Sequence, residues 1–548
     1  MRGLMQDRPL LVSGFIDYAE RYHGQTEIVT RTVEGPIHRY GYGDCARRSR
    51  RAARAFLRLG VGLGDRIGTL AWNTHRHMEV WYGTAGIGAV IHTINPRLFA
   101  DQIVYIVNHA EDRLLLVDLT FVALLESLAE RIPGVEHFII LTDDAHMPET
   151  SLKGARSYES LLAAEPDDFE WQSFDENTAC GLCYTSGTTG NPKGVLYSHR
   201  SNVLHTLMQM SVDSLGLSCR QTIMPVVPMF HANGWGVPFA APATGARLVM
   251  PGRGMDGRSI YQLLEAEKVT ITAAVPTVWL MLQNYLEESG KTLNYLESVC
   301  IGGSAAPRSM IEIFQDKYGV RVFHAWGMTE LSPVGSVGSL KPAMLALSSE
   351  EQVDIQVKQG RALYGVELKV ADDAGRDIPR DGVSQGHLKA RGPWVAKAYF
   401  KGEGAPIVDD DDWFDTGDIV TMDTDGVIQI TDRDKDVIKS GGEWISSIDL
   451  ENVAVGHSGV AEAAVIGVAH PKWDERPLLI VVPANGCQPE AGDIIAYMTG
   501  KVAKWWLPDA VAFVDEIPHT ATGKILKSTL REQFRDYRLP EEKVAPGA

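Results

Sequence analysis

Residues 184 to 194 read YTSGTTGNPKG, which sets Thr185, Ser186, Gly187, Thr188, Thr189, Gly190 and Lys193 in one short run. Glycines let a backbone pass close to an anion, amide N–H groups and hydroxyls donate to its oxygens, and a lysine adds a mobile positive charge. The run has the composition of a phosphate-holding loop. It does not fit the Walker pattern G-x-x-x-x-G-K-[ST], because Pro192 stands where that pattern requires glycine and Gly194 follows Lys193. A hydroxyl- and glycine-rich run also serves as a plain flexible connection, so its use has to be argued from the rest of the chain.

Two other clusters suggest chemistry and carry less. Cys180 and Cys183 form a C-x-x-C, but the surrounding ACGLCYTS reads as a strand, where residues three apart face opposite sides, and no second C-x-x-C completes a metal site. Buried thiols in a reducing cytoplasm are expected. Asp409 to Asp412 are consecutive, and four neighbouring side chains do not converge on one ion, so a solvated loop is expected there.

The formal charge of -18 argues against a general nucleic-acid surface, which needs basic residues to neutralise phosphates. Any phosphate held by this chain is small and locally bound. The N-terminal stretch carries Asp7, Arg8 and Asp17 and has no uninterrupted apolar core of signal-peptide type. Thr222 to Ala246 lacks formal charge, yet Pro225, Pro228, Pro238, Pro242, His231 and Asn233 suit a buried loop and helix better than a membrane span. A cytoplasmic protein without a membrane span is the expectation.

The elements that must position the loop follow from short apolar runs, IGTLAWN, LLLVD, HFIILTD, CGLCYTS and ESVCIGGSA, each followed by a turn and a helix-like segment. That alternation predicts a layered α/β body, and a 548-residue chain predicts more than one domain. Val203, Leu204, Leu207 and Met208 recur at helical spacing, which sets the loop between a strand and a helix. Near residue 400 the texture changes: IVTMDTDGVIQITD reads as a hairpin about Asp425 and Gly426, and RDKDVIKSGGEWIS follows it. The reading is an N-terminal domain of layered α/β subdomains plus a small β-barrel over 1–433, a hinge at 434–436, and a small mobile α+β domain over 437–548.

YTSGTTGNPKG, MFHANGW (229–235), GGSAAP (302–307), WGMTE (326–330), FDTGD (414–418), DRDKDVIKSGGEWIS (432–446) and PHTATGKILK (518–527) occur in one order. Together they resemble the acyl-adenylate-forming superfamily over almost the whole chain. HTINPRLF, MFHANGWG, IKSGGEWIS and KWDERPLL are similar to the bacterial medium-chain fatty-acid CoA ligases and their relatives that activate methylmercaptopropionate. The resemblance implies ATP, Mg2+ and CoA, and a two-step reaction. A carboxylate attacks the α-phosphate to give an acyl-adenylate and pyrophosphate, and the CoA thiol then displaces AMP.

By that resemblance, Thr185, Ser186, Thr188 and Thr189 donate to the β- and γ-phosphates, Gly187 and Gly190 shape the loop, and Lys193 is a phosphate cation. Thr329 contacts phosphate, and Glu330 holds magnesium. Gly303, Ser304, Ala305, His324, Ala325 and Trp326 form the adenine slot, with Trp326 where the family more often has tyrosine, and Gly327 and Met328 are further nucleotide-binding residues. Asp418 accepts from the ribose hydroxyls and Arg433 is its partner. Lys524 bridges the acyl carboxylate and the α-phosphate, while Lys527 is the bland alternative, a solvated helix lysine. His231 is an aromatic gate beside the carboxylate; with Trp235, Gly302, Gly327 and Pro333 it lines the acyl pocket. Lys435 is the pivot that exchanges Lys524 for the CoA-facing Gly441, Gly442, Glu443 and Trp444. A homodimer is a further family-based expectation.

Three other readings remain open at this level: loading of a carrier-protein thiol, a nucleotide-binding regulator with a vestigial site, and a kinase that would release ADP. The sequence leaves the acid open, because pocket volume depends on packing.

Overall fold

The structure, a computed structural model, describes residues 1, 3–185, 191–404, 406–441, 443–484, 486–519 and 525–540. Two large mixed sheets make up the N-terminal body. The first has seven strands in the order Arg156–Ser157, His137–Ile140, Asp112–Val117, Arg66–Leu70, Val90–Thr93, Ala179–Tyr184, Gly194–Ser198. Neighbours are parallel except the last pair. Parallel strands covered on both faces read as continuous apolar runs, which is how LLLV at 114–117 comes to be wholly buried.

The last pair corrects the sequence reading. Ala179–Tyr184 pairs antiparallel with Gly194–Ser198, Tyr184 lying opposite Gly194. The phosphate loop is therefore the tip of a hairpin, and helix His199–Gln209 begins only after the second strand. Buried Val195 and Tyr197 on either side of exposed Leu196 give Gly194–Ser198 its strand character; the apolar spacing beyond it obscured that short segment.

The second sheet has nine strands in the order Arg361–Ala362, Val334–Val337, Arg321–Gly327, Ser298–Ile301, Ile271–Ala274, Thr222–Pro225, Arg247–Met250, Glu27–Arg31, Ile37–Gly41. Its middle is parallel, and Arg321–Gly327 meets Val334–Val337 antiparallel. Every residue of helix His75–Gly86 is buried within this body. A charge on such a helix needs partners: Glu79 accepts from Arg48 Nε at 2.7 Å and from the hydroxyls of Tyr40 and Tyr158 at 2.9 and 3.1 Å. Gly83 is required there, since a Cβ would lie 2.9 Å from Ala52 Cβ and 3.0 Å from the Ser49 carbonyl oxygen.

Strands Glu367–Ala371, Gly386–Arg391, Phe414–Met422 and Ile428–Arg433 form an antiparallel sheet of four. Its first and last strands do not pair with each other among the described residues, and it stands where the small β-barrel was expected. The hairpin about Asp425 and Gly426 is present, with Asp423 Oδ1 accepting from the N–H groups of Asp425 and Val427 and Gly426 at a φ of 78°. Asp409 to Asp412 are exposed, and Asp409 caps its own loop by accepting from the N–H groups of Asp411 and Trp413.

Beyond Arg433 a small α+β unit follows. Its five strands include Ile438–Ser440, Glu443–Ile445, Val460–His470, Asp474–Pro483 and Ala510–Phe513, the last parallel to Asp474–Pro483. Helices Ser447–Val455, Ala491–Met498 and Lys527–Gln533 pack against them. Thr222 to Ala246 folds as a buried strand, a left-handed turn and the helix Val237–Thr244. No helix among the described residues is long and apolar enough to cross a membrane. Cys180 and Cys183 are buried and unpaired, and burial pushes the Cys180 thiol up to about 12.

Candidate active site

A cavity of about 700 Å³ lies where the two large sheets, the four-stranded sheet and the C-terminal helix Lys527–Gln533 meet. Thr185 and Lys193 enter it from the neck of the hairpin. Thr185 N–H donates to the Lys193 carbonyl at 2.9 Å, and Lys193 N–H donates to Thr185 Oγ1 at 3.1 Å. The two ends of the loop are thus tied at a fixed width. Ser186, Gly187, Thr188, Thr189 and Gly190 lie outside the described residues.

Gly327, Met328, Thr329 and Glu330 continue strand Arg321–Gly327 along the cavity wall. The Thr329 carbonyl accepts from the Tyr197 hydroxyl at 2.6 Å, which ties this wall to the second strand of the hairpin. Glu330 is 6% exposed; its carbonyl accepts from Ala396 N–H at 2.8 Å and its Oε1 from the Tyr399 hydroxyl at 2.8 Å. Gly327 is needed for the strand to pass Pro333, whose carbonyl oxygen would stand 2.2 Å from a Cβ there.

At the other end Trp326 and Arg433 line the cavity, with Asp418 buried behind them. Asp418 Oδ2 accepts from the Trp326 indole N–H at 2.9 Å, and its Oδ1 lies 2.9 Å from Arg433 Nε. Trp326 therefore offers an N–H as well as an aromatic face, and the N–H is spent in a direct bond to the carboxylate. A carboxylate offers about four acceptor sites, so Asp418 retains acceptor capacity beyond these two bonds. Gly303 and Ala325 also line the cavity. Ser304, Ala305 and His324 are not part of its lining; His324 is buried, its Nδ1 lies 3.0 Å from the Val357 carbonyl, and burial lowers its pKa.

His231, Trp235, Gly302 and Pro333 meet on the apolar side of the same cavity. Trp235 is held by unusual backbone: Ala232, Asn233 and Trp235 have φ values of 38°, 51° and 54°, a left-handed run that costs energy and gathers at functional sites. Gln209 Nε2 donates to the Trp235 carbonyl and fixes that turn. The indole packs on Gly302, where a Cβ would come 3.0 Å from Trp235 Cη2. His205 supports the wall from behind, its Nε2 accepting from Val334 N–H at 3.2 Å, and burial depresses its pKa to about 3.

The C-terminal unit closes the cavity with Ile525, Leu526, Lys527 and Arg531. Lys527 is not the solvated lysine of the sequence reading. It is 8% exposed, lies 2.7 Å from Glu451 and donates to Ser447 Oγ; burial alone would lower its ammonium, and the Glu451 and Asp432 carboxylates outweigh that and raise it. Arg531 pairs with Asp436 at 2.7 Å. Lys435 lines the cavity, and burial lowers its pKa. Lys524 and Gly442 lie outside the described residues. The described parts of the SGGEWIS segment are not in the cavity: Gly441 N–H donates to the Trp473 carbonyl at 2.8 Å, strand Glu443–Ile445 pairs with Ile438–Ser440, and Trp444 packs edge-on against His387. Tyr399, Tyr197 and Arg531 escaped the sequence reading, because their partners Glu330, Thr329 and Asp436 are far away in the chain and their residue types are unremarkable.

The donors suit one hard divalent cation held mainly by substrate. Among the described residues there is no group of three or more His, Cys, Asp or Glu side chains that could cage a metal. Glu330 contributes one buried carboxylate with acceptor capacity beyond Tyr399, beside Thr329. Magnesium is typically bound in this way, by one or two carboxylates together with phosphate oxygens and water.

Residues 15–400 match the model of the AMP-binding enzyme family, and residues 449–524 match that of the AMP-binding enzyme C-terminal domain. The chain is 49% identical over 536 residues to a 3-methylmercaptopropionyl-CoA ligase of Ruegeria lacuscaerulensis, covering 98% of this chain and 99% of that one. It is 46% identical over 539 residues to a medium-chain-fatty-acid CoA ligase of Ectopseudomonas oleovorans, covering 98% of each. The crystal structure of the anthranilate CoA ligase AuaEII with anthranoyl-AMP superposes with a TM-score of 0.83 at 25% identity, over 95% of this chain and 97% of that one.

Proposed function

The chain belongs to the AMP-binding enzyme family, and from that premise we propose how its cavity is used and on which acids. The protein is an AMP-forming acyl-CoA ligase, converting a carboxylic acid, ATP and CoA into acyl-CoA, AMP and pyrophosphate through an acyl-adenylate. The acids are short- to medium-chain fatty acids or methylthio-alkanoic acids. The observation that carries this reading is the polarity of one cavity: Lys193, Thr329 and Glu330 on one wall, Trp326, Asp418 and Arg433 at one end, and Trp235 against Gly302 on the apolar side.

A carboxylate is a poor electrophile, and its approach to an α-phosphate sets anion against anion. Cations and oriented N–H dipoles must offset that repulsion. The loop of residues 185–194, with Lys193 as its cation, holds the β- and γ-phosphates. Glu330, with Thr329 beside it, would hold magnesium, which supplies charge neutralisation across the phosphates. Trp326 stacks on adenine, Asp418 accepts from ribose hydroxyls, and Arg433 keeps its carboxylate aligned. Lys524 then bridges the acyl carboxylate and the α-phosphate as charge moves to the departing pyrophosphate.

Gly441, Gly442, Glu443 and Trp444 serve the CoA step after the C-terminal unit turns about Lys435, the pivot of a hinge at 434–436 between domains of 1–433 and 437–548. Trp235 limits the acyl pocket, and His231 gates it. The enzyme acts in the cytoplasm and forms a homodimer.

Product analysis tests the reading. With ATP, magnesium and an acid of this class, AMP and pyrophosphate should appear in equal amounts and AMP formation should depend on CoA. ADP as the product, or transfer to a carrier-protein thiol with no response to CoA, would sink it.

A further inference from the structure

Tyr399 lies between strands Gly386–Arg391 and Phe414–Met422 and faces the cavity. One side chain there touches two groups to which the proposed mechanism gives opposite charge. Its hydroxyl donates to Glu330 Oε1 at 2.8 Å, and Lys193 Nζ stands 4.9 Å from the centroid of its ring. The ammonium also passes Gly404, where a Cβ would lie 3.7 Å away and where φ is +85°. Ala396, three residues before Tyr399, donates its N–H to the Glu330 carbonyl at 2.8 Å, so the same segment fastens both the backbone and the carboxylate of Glu330.

The geometry has a chemical consequence. A lysine and a glutamate on one cavity wall neutralise each other if they pair directly, and a paired carboxylate is a poor site for a metal. Among the described residues no ion pair joins Lys193 to Glu330, and Tyr399 contacts both. A phenol satisfies the carboxylate with a neutral donor, and an aromatic face attracts an ammonium without consuming its N–H donors in a salt bridge. A phenol keeps its O–H at neutral pH and so donates to the carboxylate.

We propose that Tyr399 is a positioning residue for adenylation: its hydroxyl orients the Glu330 carboxylate to receive magnesium, and its ring keeps the Lys193 ammonium separate and turned to the phosphates. The inference rests on the roles given above to Glu330 and Lys193. It predicts a specific defect in handling the metal–nucleotide complex, not a general loss of the site.

The test uses the full-length enzyme with Tyr399→Phe, which keeps the ring and removes the hydroxyl, and with Tyr399→Leu, which removes both. Binding of Mn2+·ATP is followed by electron paramagnetic resonance without acid, and AMP formation is followed as magnesium is varied. Tyr399→Phe should weaken Mn2+·ATP binding and raise the magnesium needed for half-maximal rate by about tenfold, the scale of a lost hydrogen bond to a charged group. Thioester formation from preformed acyl-adenylate and CoA should be unchanged, and Tyr399→Leu should raise the ATP KM further by releasing Lys193. In a Glu330→Gln background, Tyr399→Phe should add nothing.

Wild-type metal dependence in Tyr399→Phe would overturn the proposal, as would an undiminished effect in the Glu330→Gln background. A wild-type enzyme that binds Mn2+·ATP yet releases no AMP would refute the ligase mechanism instead, and the binding measurement would still decide the role of Tyr399. Should one variant fold poorly by its thermal midpoint, the other and the Glu330→Gln pair decide the same question.

Discussion

The two walls of the cavity are built on different terms. On the N-terminal wall the polar groups are locked by buried bonds within their own body: Asp418 by Trp326 and Arg433, Glu330 by Tyr399 and Ala396, Thr329 by Tyr197. The C-terminal wall pairs Lys527 with Glu451 of its own unit and Arg531 with Asp436 at the junction. It is joined to strand Ile428–Arg433 by polar bonds at the start of helix Ser447–Val455, where Ser446 donates to the Thr431 carbonyl and Ser447 donates through N–H and Oγ to Asp432. Polar junctions between domains are the kind that permit relative motion. The difference is what the proposed division of labour requires, with nucleotide binding on the wall bonded within its own body and the timing of chemistry on the unit joined to it by polar bonds.

The comparison breaks most visibly at Asp418. Asp418→Ala leaves the Arg433 guanidinium and the Trp326 N–H without their buried acceptor, and initial rates over a range of ATP should show kcat/KM for ATP falling by about a hundredfold or more. A wild-type value would mean that the fixed wall does not hold the nucleoside. Trp235→Ala should act only at the apolar end, raising the ratio of kcat/KM for longer acids over the preferred one by about tenfold, on the scale of a methylene in a pocket. Equal losses across acid lengths would remove Trp235 from pocket control.

Lys435→Pro sharpens the contrast. If Lys435 is the pivot, a fixed φ at that position should slow one half-reaction several-fold more than the other when adenylation and thioester formation are assayed separately. Equal slowing would undermine the assignment.

The smallest effect on turnover at neutral pH separates the two bodies by stability. Burial lowers His77 and His199 to about 4 and His205 to about 3, all in the N-terminal body. A folded pKa below the unfolded value means stability that is present above about pH 6.5 and is lost as pH falls toward those values. Each costs about 2 kcal/mol by pH 5. His519 of the C-terminal unit has the opposite sign: its bond to Glu462 raises it, so its contribution is present below the unfolded value and lost as pH rises. Hydrogen exchange at pH 7 and pH 5 should therefore show the N-terminal body loosening first, and earlier loosening of the C-terminal sheet would contradict this balance.

Thr185, Lys193, Thr329 and Glu330, which share one cavity, and the tight hairpin at Asp425 and Gly426 were legible in the sequence because chemistry dictates their residue types. What escaped was set by long-range packing. Tyr399 meets Glu330 across 69 positions of chain, and nothing in VAKAYFKG announces it. Lys527 looked solvated because its partner Glu451 lies on another helix. The β-branched and aromatic run Gly194–Ser198 was overlooked as a strand because the helical spacing beyond it was stronger. Acid preference was illegible for the same reason, since Trp235 sits where it does through a left-handed turn and a missing side chain at Gly302.

The most direct test of the division between the walls is Lys524→Ala, assayed for each half-reaction in turn. Acid-dependent pyrophosphate release should fall by about a hundredfold or more, the scale of losing one transition-state charge partner, while CoA-dependent thioester formation from preformed acyl-adenylate stays within about twofold of wild type. Equal loss in both half-reactions, or none in either, would contradict the account.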